Sequence, residues 1–300
     1  MDPGTTHSRQ DDPTAQAGLE QQDLPVGALY VVALPIGNAA DITLRALWVL
    51  ARVDTIAAED TRKTRPLLDR FGIHTPLLAA HQHNERAMAA AIIERLAAGQ
   101  RIALVTDAGT PAVSDPGSLI VRATIDAGRR VIPVPGASSA LAAVSAAGLG
   151  GGGFRFVGFL PNAARERQRL LREIATDSQA SVLFEAPHRI RALLDELAAQ
   201  LAPQRRLVLA RELTKRFETI SALSARDLAE APVEERGEYV VIVDASERAG
   251  PAVLDAVGER WLDALLDELP PARAAAVVSR VTGASREQVY ASALKRRHKP

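Results

Sequence analysis

Three short stretches of this sequence combine glycine, proline and small polar residues, each directly after a run of apolar and β-branched side chains. They are Pro35-Ile36-Gly37-Asn38, the segment from Thr106 to Gly117, and Pro135-Gly136-Ala137-Ser138-Ser139. Glycine lets the main chain approach a ligand closely, and proline fixes a loop's shape before anything binds. The third stretch opens a helical pattern, and the free N–H groups at a helix N-terminus favour a carboxylate or phosphate. Ligands of open parallel sheets sit beyond the carboxyl ends of strands, where such loops leave the sheet. The pattern therefore points to a small-molecule cleft without naming the molecule.

Other chemistries are excluded by the same inspection. The closely spaced glycines, Gly148 to Gly153, precede a strand pattern where a dinucleotide fingerprint would follow one, and no GxxxxGK phosphate loop occurs. His81 and His83 flank Gln82 but lack a third ligand at metal-site spacing, so no metal is expected. The absence of cysteine removes disulfides, thiolate metal sites and cysteine nucleophiles. Lys+Arg and Asp+Glu both number 36, so an argument for nucleic acid has to come from local clusters. Three exist: Arg62, Lys63, Arg65 and Arg70; Arg155, Arg165, Arg167, Arg169 and Arg172; and Lys295, Arg296, Arg297 and Lys299. A solvated helix face or a polar tail explains each cluster equally well.

The elements that must position these residues follow from periodicity. Residues 1–27 are polar and punctuated by Pro3, Pro13 and Pro25, which predicts a disordered tail. Strand candidates at 29–34, 55–58, 101–105 and 131–134 then alternate with helical patterns. In one of these, Ala89, Ile92, Ile93 and Leu96 share a face and Gly99 supplies the left-handed stop. This alternation predicts an α/β fold with a mainly parallel sheet covered on both sides, spanning 28–149. The glycine run near 150 marks a linker, and a second α/β domain with a mixed sheet is expected over 150–246. Residues 247–300 form a small helical unit, in which Gly283 separates two apolar stripes in the manner of a helix-turn-helix. No apolar run reaches membrane-spanning length and no signal peptide is visible, so a cytoplasmic protein with no membrane association is expected.

Read in order, Tyr30-Val31-Val32-Ala33-Leu34-Pro35-Ile36-Gly37-Asn38, Ala57-Ala58-Glu59-Asp60-Thr61-Arg62, His83-Asn84-Glu85, Asp107-Ala108-Gly109-Thr110-Pro111, Asp115-Pro116-Gly117, Gly158-Phe159-Leu160-Pro161, Ala210-Arg211-Glu212-Leu213-Thr214-Lys215 and Gly237-Glu238-Tyr239 resemble the tetrapyrrole methylase superfamily. They resemble in particular its bacterial branch that methylates a ribose 2'-hydroxyl, typically of cytidine, in small-subunit (16S) ribosomal RNA. The tetrapyrrole enzymes tend to carry Gly-Pro-Gly in the first loop and Gly-Asp-Pro in the second, which this chain lacks. Two departures concern individual contacts: the third loop reads Ala-Ser-Ser where the branch often has Pro-Cys-Ala, and Phe184 stands where Tyr is common.

The resemblance implies a two-domain fold, a homodimer, and S-adenosylmethionine held between the domains by Pro35, Asp107, Gly109, Thr110, Val113, Ser138, Ser139, Phe184, Glu185, Thr214 and Lys215. It implies ribosomal RNA, within the assembled 30S particle, as the partner, with Arg62, Lys63 and Arg65 gripping phosphates. Methyl transfer to a hydroxyl needs alignment, worth about 7–11 kcal/mol, and gains roughly 10²–10⁴-fold from a base. Base candidates are Glu59, Asp60, His83, Glu85, Glu185 and Lys215. Lys215 stands first if burial beside a cationic sulfonium lowers its pKa, although ion pairing with Arg62, Arg189 or Arg211 accounts equally for the carboxylates. Two other readings stay open: methylation of a corrinoid or porphyrin precursor, and a non-catalytic ribosome-binding factor.

Overall fold

The computed structural model describes residues 17–82, 84–149, 153–246 and 256–297. Its first sheet is built from β1 (Ala28–Val32), β2 (Thr55–Ala58), β3 (Leu77–Ala79), β4 (Ile102–Val105) and β5 (Arg130–Val134). Their spatial order is β3-β2-β4-β1-β5, with every pairing parallel. β2 and β4 are buried along their whole length, as strands covered on both faces must be. Alternate residues feed two cores: Tyr30, Val32, Ile56, Ala58, Ala103 and Val105 face one, and Leu29, Ala57, Ile102 and Leu104 the other.

The covering helices are α1 (Leu44–Leu50), α2 (Thr61–Arg70), α3 (Glu85–Ala97) and α4 (Ser118–Asp126), and α5 (Ser139–Ala146) follows β5. Thr43 caps α1 by accepting the Ala46 N–H at 3.1 Å, and Asp60 caps α2 by accepting the Arg62 N–H at 2.9 Å. Part of the expected tail is packed: Leu19 is buried in the first core, Leu24 lies against it, and the Tyr30 hydroxyl donates to Pro25 O at 2.8 Å. These two leucines provide the apolar area that the polar composition around them concealed. Residues 1–16 and the linker glycines at 150–152 lie outside the described residues.

The second sheet contains β6 (Phe154–Phe159), β7 (Ala180–Glu185), β8 (Arg206–Arg211), β9 (Thr219–Ser224) and β10 (Tyr239–Val243) in the order β6-β7-β10-β8-β9. Only β6 and β7 run parallel, so this sheet is mixed. One face packs on α6 (Ala164–Thr176) and α7 (Ile190–Ala198). The other receives α5, whose Ala140 and Ala143, with Ala147 just beyond its end, share a core with Val182, Val208, Ala210, Val240 and Ile242. Small alanine side chains let the helix approach the sheet closely, which fixes the two domains against each other. Three further helices, α8 (Ala256–Glu268), α9 (Pro271–Thr282) and α10 (Arg286–Arg297), enclose a separate small core. Gly283, in the left-handed conformation, ends α9.

Candidate active site

The strand order places β4, β1 and β5 side by side, so the three glycine- and proline-containing loops leave the sheet next to one another. They are stitched together. Leu34 and Gly109 exchange main-chain hydrogen bonds of 2.9 and 3.0 Å, and the Thr110 hydroxyl donates to Ala137 O at 3.1 Å. A Cβ on Gly136 would stand 2.9 Å from that of Ala33, so this glycine is required for the loops to meet.

Between these loops and the second sheet lies a cleft with two adjoining lobes. The larger, about 350 Å³, is walled by Ala108, Ser114, Asp115 and Ser139 on one side and by Phe159, Phe184, Glu185, Ala186, Leu213 and Tyr239 on the other. The smaller, about 270 Å³, is bounded by Pro35, Gly37, Lys63, Asp107 and Lys215. Ile36, Ala108 and Glu238 border both. Phe184 meets Phe156 and Phe159 edge to face, with ring centroids 5.2 and 5.6 Å away, giving the larger lobe an apolar floor.

Among the charged groups that line the cleft, carboxylates outnumber cations: Asp107, Asp115, Glu185 and Glu238 against Lys63 and Lys215. Burial pushes the Asp115 carboxyl up to about 6, helped by the nearby charges of Glu59, Asp107 and Glu238. Ser138 places no side-chain cap on α5, leaving that helix end to main-chain N–H groups. The lining thus offers negative charge toward a cation, a helix N-terminus toward an anion, and an aromatic floor.

The nominated residues fall into distinct positions. Glu59 accepts from the Thr106 hydroxyl at 2.7 Å and Asp107 N–H at 3.3 Å, tying β2 to the second loop. Asp60 is held to about 2 by its hydrogen bonds from the Arg62 side chain and main chain. Glu85 is buried, and its Oε1 accepts the N–H groups of Gly117 and Leu119 at 2.9 and 2.8 Å, so it braces the start of α4. Glu185 is also buried; it accepts from Ala186 N–H and pairs with Arg167 and Arg189. His83 lies outside the described residues.

Lys215, the first of the base candidates, has its pKa raised by its surroundings in the chain itself. Burial pulls it down, but hydrogen bonds to Glu212 (2.8 Å) and Glu238 (2.9 Å), and the charges of both, outweigh this and raise it. Among the basic residues, Arg62 is exposed and paired with Asp60, whereas Lys63 turns into the cleft to donate to Asp107 Oδ2 at 2.7 Å. Arg65 donates to the carbonyl oxygens of Ile73 and Thr75 and so fixes the turn after α2. Thr214 accepts the Asn38 N–H at 3.1 Å, Val113 is exposed and lines neither lobe, and Asp115 and Glu238 line the cleft without having been expected there. Both lie in quoted motifs; partial burial sets Asp115 apart, and Glu238, largely exposed, is distinguished by its contact with Lys215.

This arrangement, a parallel-sheet domain and a mixed-sheet domain closing on three convergent loops, is that of the tetrapyrrole (corrin/porphyrin) methylases. The chain belongs to that family, whose model matches residues 28–229. Residues 252–297 match the RsmI C-terminal HTH domain. Within the family it groups with proteins named ribosomal RNA small subunit methyltransferase I. The protein of that name from Pseudomonas aeruginosa is 44% identical over 281 residues, covering 92% of this chain and 100% of the relative. That from Escherichia coli O157:H7 is 43% identical over 279 residues, 92% and 97% of the two chains. Among solved structures the methyltransferase CobJ is similar, with a TM-score of 0.57 at 24% identity over 76% of this chain and 97% of CobJ. A uroporphyrin-III C-methyltransferase from Thermus thermophilus, solved in complex with S-adenyl homocysteine, shares the fold at a TM-score of 0.51 and 19% identity over 72% and 97%.

Proposed function

We propose that this protein transfers a methyl group from S-adenosylmethionine to a ribose 2'-hydroxyl, that of a cytidine, in small-subunit ribosomal RNA. The observation that carries the reading is the acid-rich, two-lobed cleft between the domains, joined to a helical unit of the kind found in relatives named for small-subunit RNA methylation. When bound, S-adenosylmethionine supplies a methyl group on a cationic sulfur and departs as a neutral thioether. The residues present fit it: Asp115, Asp107 and Glu238 stabilise positive charge, the α5 N-terminus suits a carboxylate, and Phe184 and Phe159 give an apolar surface for a base. Ser138, Ser139, Gly109, Thr110 and Val113 belong to the loops that would hold it.

The chain's own contribution is chiefly placement. The stitched loops set one wall of the cleft, and the smaller lobe opens beside it for an incoming sugar. Lys215, raised in pKa and clamped between Glu212 and Glu238, is a cation at neutral pH and acts by position and charge. Proton removal then falls to a cleft carboxylate or to water. The assembled small subunit as substrate, a homodimeric state and a cytoplasmic location complete the proposal; no helix among the described residues is long and apolar enough to cross a membrane.

The test is incubation of the purified protein and labelled S-adenosylmethionine with small subunits lacking the modification, followed by nuclease mapping of the label. Methylated ribose is the expected product. Label in a base, or only in a porphyrin precursor, overturns the assignment.

A further inference from the structure

Asp107 stands in the wall of the smaller lobe with its carboxylate divided between two donors. Oδ1 accepts the main-chain N–H of Asp60 at 3.1 Å, a bond between two loops that the backbone holds in place. Oδ2 accepts the Lys63 ammonium at 2.7 Å, at the end of a side chain that is 66% exposed. The second bond is therefore the exchangeable one. Lys63 and Lys215 both line this lobe, but Lys215 is hydrogen-bonded to two carboxylates and Lys63 to one. Displacing Lys63 from Asp107 is the smallest change that would give the lobe a free cation.

Taking the cofactor assignment above as given, we propose that the amino group of the bound cofactor replaces Lys63 on Asp107 Oδ2, and that the released Lys63 ammonium binds a backbone phosphate of the acceptor RNA in the smaller lobe. The charge balance supports this order of events. With the cleft empty, Asp107 and Lys63 neutralise each other and the lobe offers an anion little. Once a second cation satisfies Asp107, Lys63 loses its hydrogen-bonded counter-charge and keeps only the weaker influence of Asp60, itself paired with Arg62, and of Glu59, next to the opening through which the sugar enters. Cofactor and RNA then favour each other's binding, and linkage makes the effect reciprocal. Lys63 is thereby a binding residue for the acceptor only in the cofactor-loaded protein.

Three measurements on the full chain test this. In ¹⁵N-detected spectra of the lysine ammonium groups, the Lys63 signal should move on adding S-adenosylhomocysteine. It should not move on adding 5'-methylthioadenosine, which lacks the amino-acid group. Lys63→Met should bind S-adenosylhomocysteine about two- to fivefold more tightly, the loss of an exposed ion pair as competitor, with methylthioadenosine unchanged. Affinity for small subunits lacking the modification should rise about fivefold with S-adenosylhomocysteine in the wild type and in Lys63→Arg, a coupling at the low end of the usual range. It should not rise in Lys63→Met. Failure of S-adenosylhomocysteine to bind the wild type would overturn the cofactor reading itself. Binding that leaves the Lys63 signal and the Lys63→Met affinity unchanged would overturn the exchange alone.

Discussion

Replacing Glu85 by alanine would strand two main-chain donors, the N–H groups of Gly117 and Leu119, at the start of a helix whose N-cap residue is a glycine without a side chain to take over. A buried donor left without a partner costs about 1–3 kcal/mol, and removing a carboxylate from a helix N-terminus about 0.3–1 kcal/mol. Gly117 N–H is buried and Leu119 N–H partly so, which puts the Ala variant at about 3 kcal/mol less stable, or roughly 6–12 °C in melting temperature. Glu85→Gln keeps an accepting oxygen and should lose only about 1 kcal/mol. Urea unfolding followed by circular dichroism reads these differences, and calorimetry with S-adenosylhomocysteine should show weaker binding in the Ala variant, because Asp115 sits in the turn that Glu85 braces. Turnover at saturating substrates should fall less than tenfold. If both variants instead keep their stability and lose about 10²–10⁴ in turnover, the scale of a lost general base, then Glu85 handles a proton and the bracing argument is wrong.

Two other substitutions separate charge from proton transfer. Lys215→Arg preserves a cation between Glu212 and Glu238 and should retain turnover within about tenfold, whereas a lysine acting as base would lose about 10²–10⁴-fold on this change; steady-state rates decide between them. Asp115 has a folded pKa of about 6, above its ordinary value near 4. The folded state therefore holds this proton more tightly, and the residue costs stability as pH rises from about 4 through 6. Asp115→Asn should accordingly raise the melting temperature at pH 7–8 and leave it unchanged at or below pH 4. The same protonation should weaken binding of the cationic cofactor to the wild type below pH 6, and a binding profile flat from pH 5 to 8 would count against Asp115 as its counter-charge.

Much of the fold was legible because burial on both faces leaves a plain mark: Thr55-Ile56-Ala57-Ala58 and Ile102-Ala103-Leu104-Val105 read as strands with no tertiary information. β3 escaped notice because three residues are too few to show a period. α2 was read only as a basic cluster because its buried contribution is confined to Thr64 and Leu68, with Pro66 inside it. The loops of the site were legible for the same reason that they work, since close approach demands Gly, Pro and small residues. Partner identity was not. Glu212 lies three residues from Lys215 and was foreseeable as its partner, but Glu238 is brought to the same ammonium across the β8–β10 pairing, and the two acids together outweigh burial. Asp115 is distinguished only by desolvation and like charges from loops up to 123 residues away in Glu238.

The cleft is also held in one shape by the way the domains meet. Asn38 donates to Thr214, a Cβ on Gly37 would lie 2.4 Å from Lys215 Cγ, and one on Gly158 would lie 2.5 Å from Ser114 Oγ. Among the described residues, the non-glycine positions with positive φ are Ala112, Ser114, Glu212 and Thr214, all on the two facing loops. Each costs about 1–3 kcal/mol and persists only where the surroundings over-determine it. The segments that carry them are tied across the cleft by the Asn38–Thr214 hydrogen bond and flank the core shared by α5 and the second sheet. With the walls set in this way, the exchange proposed for Lys63 asks a side chain to move and not a domain.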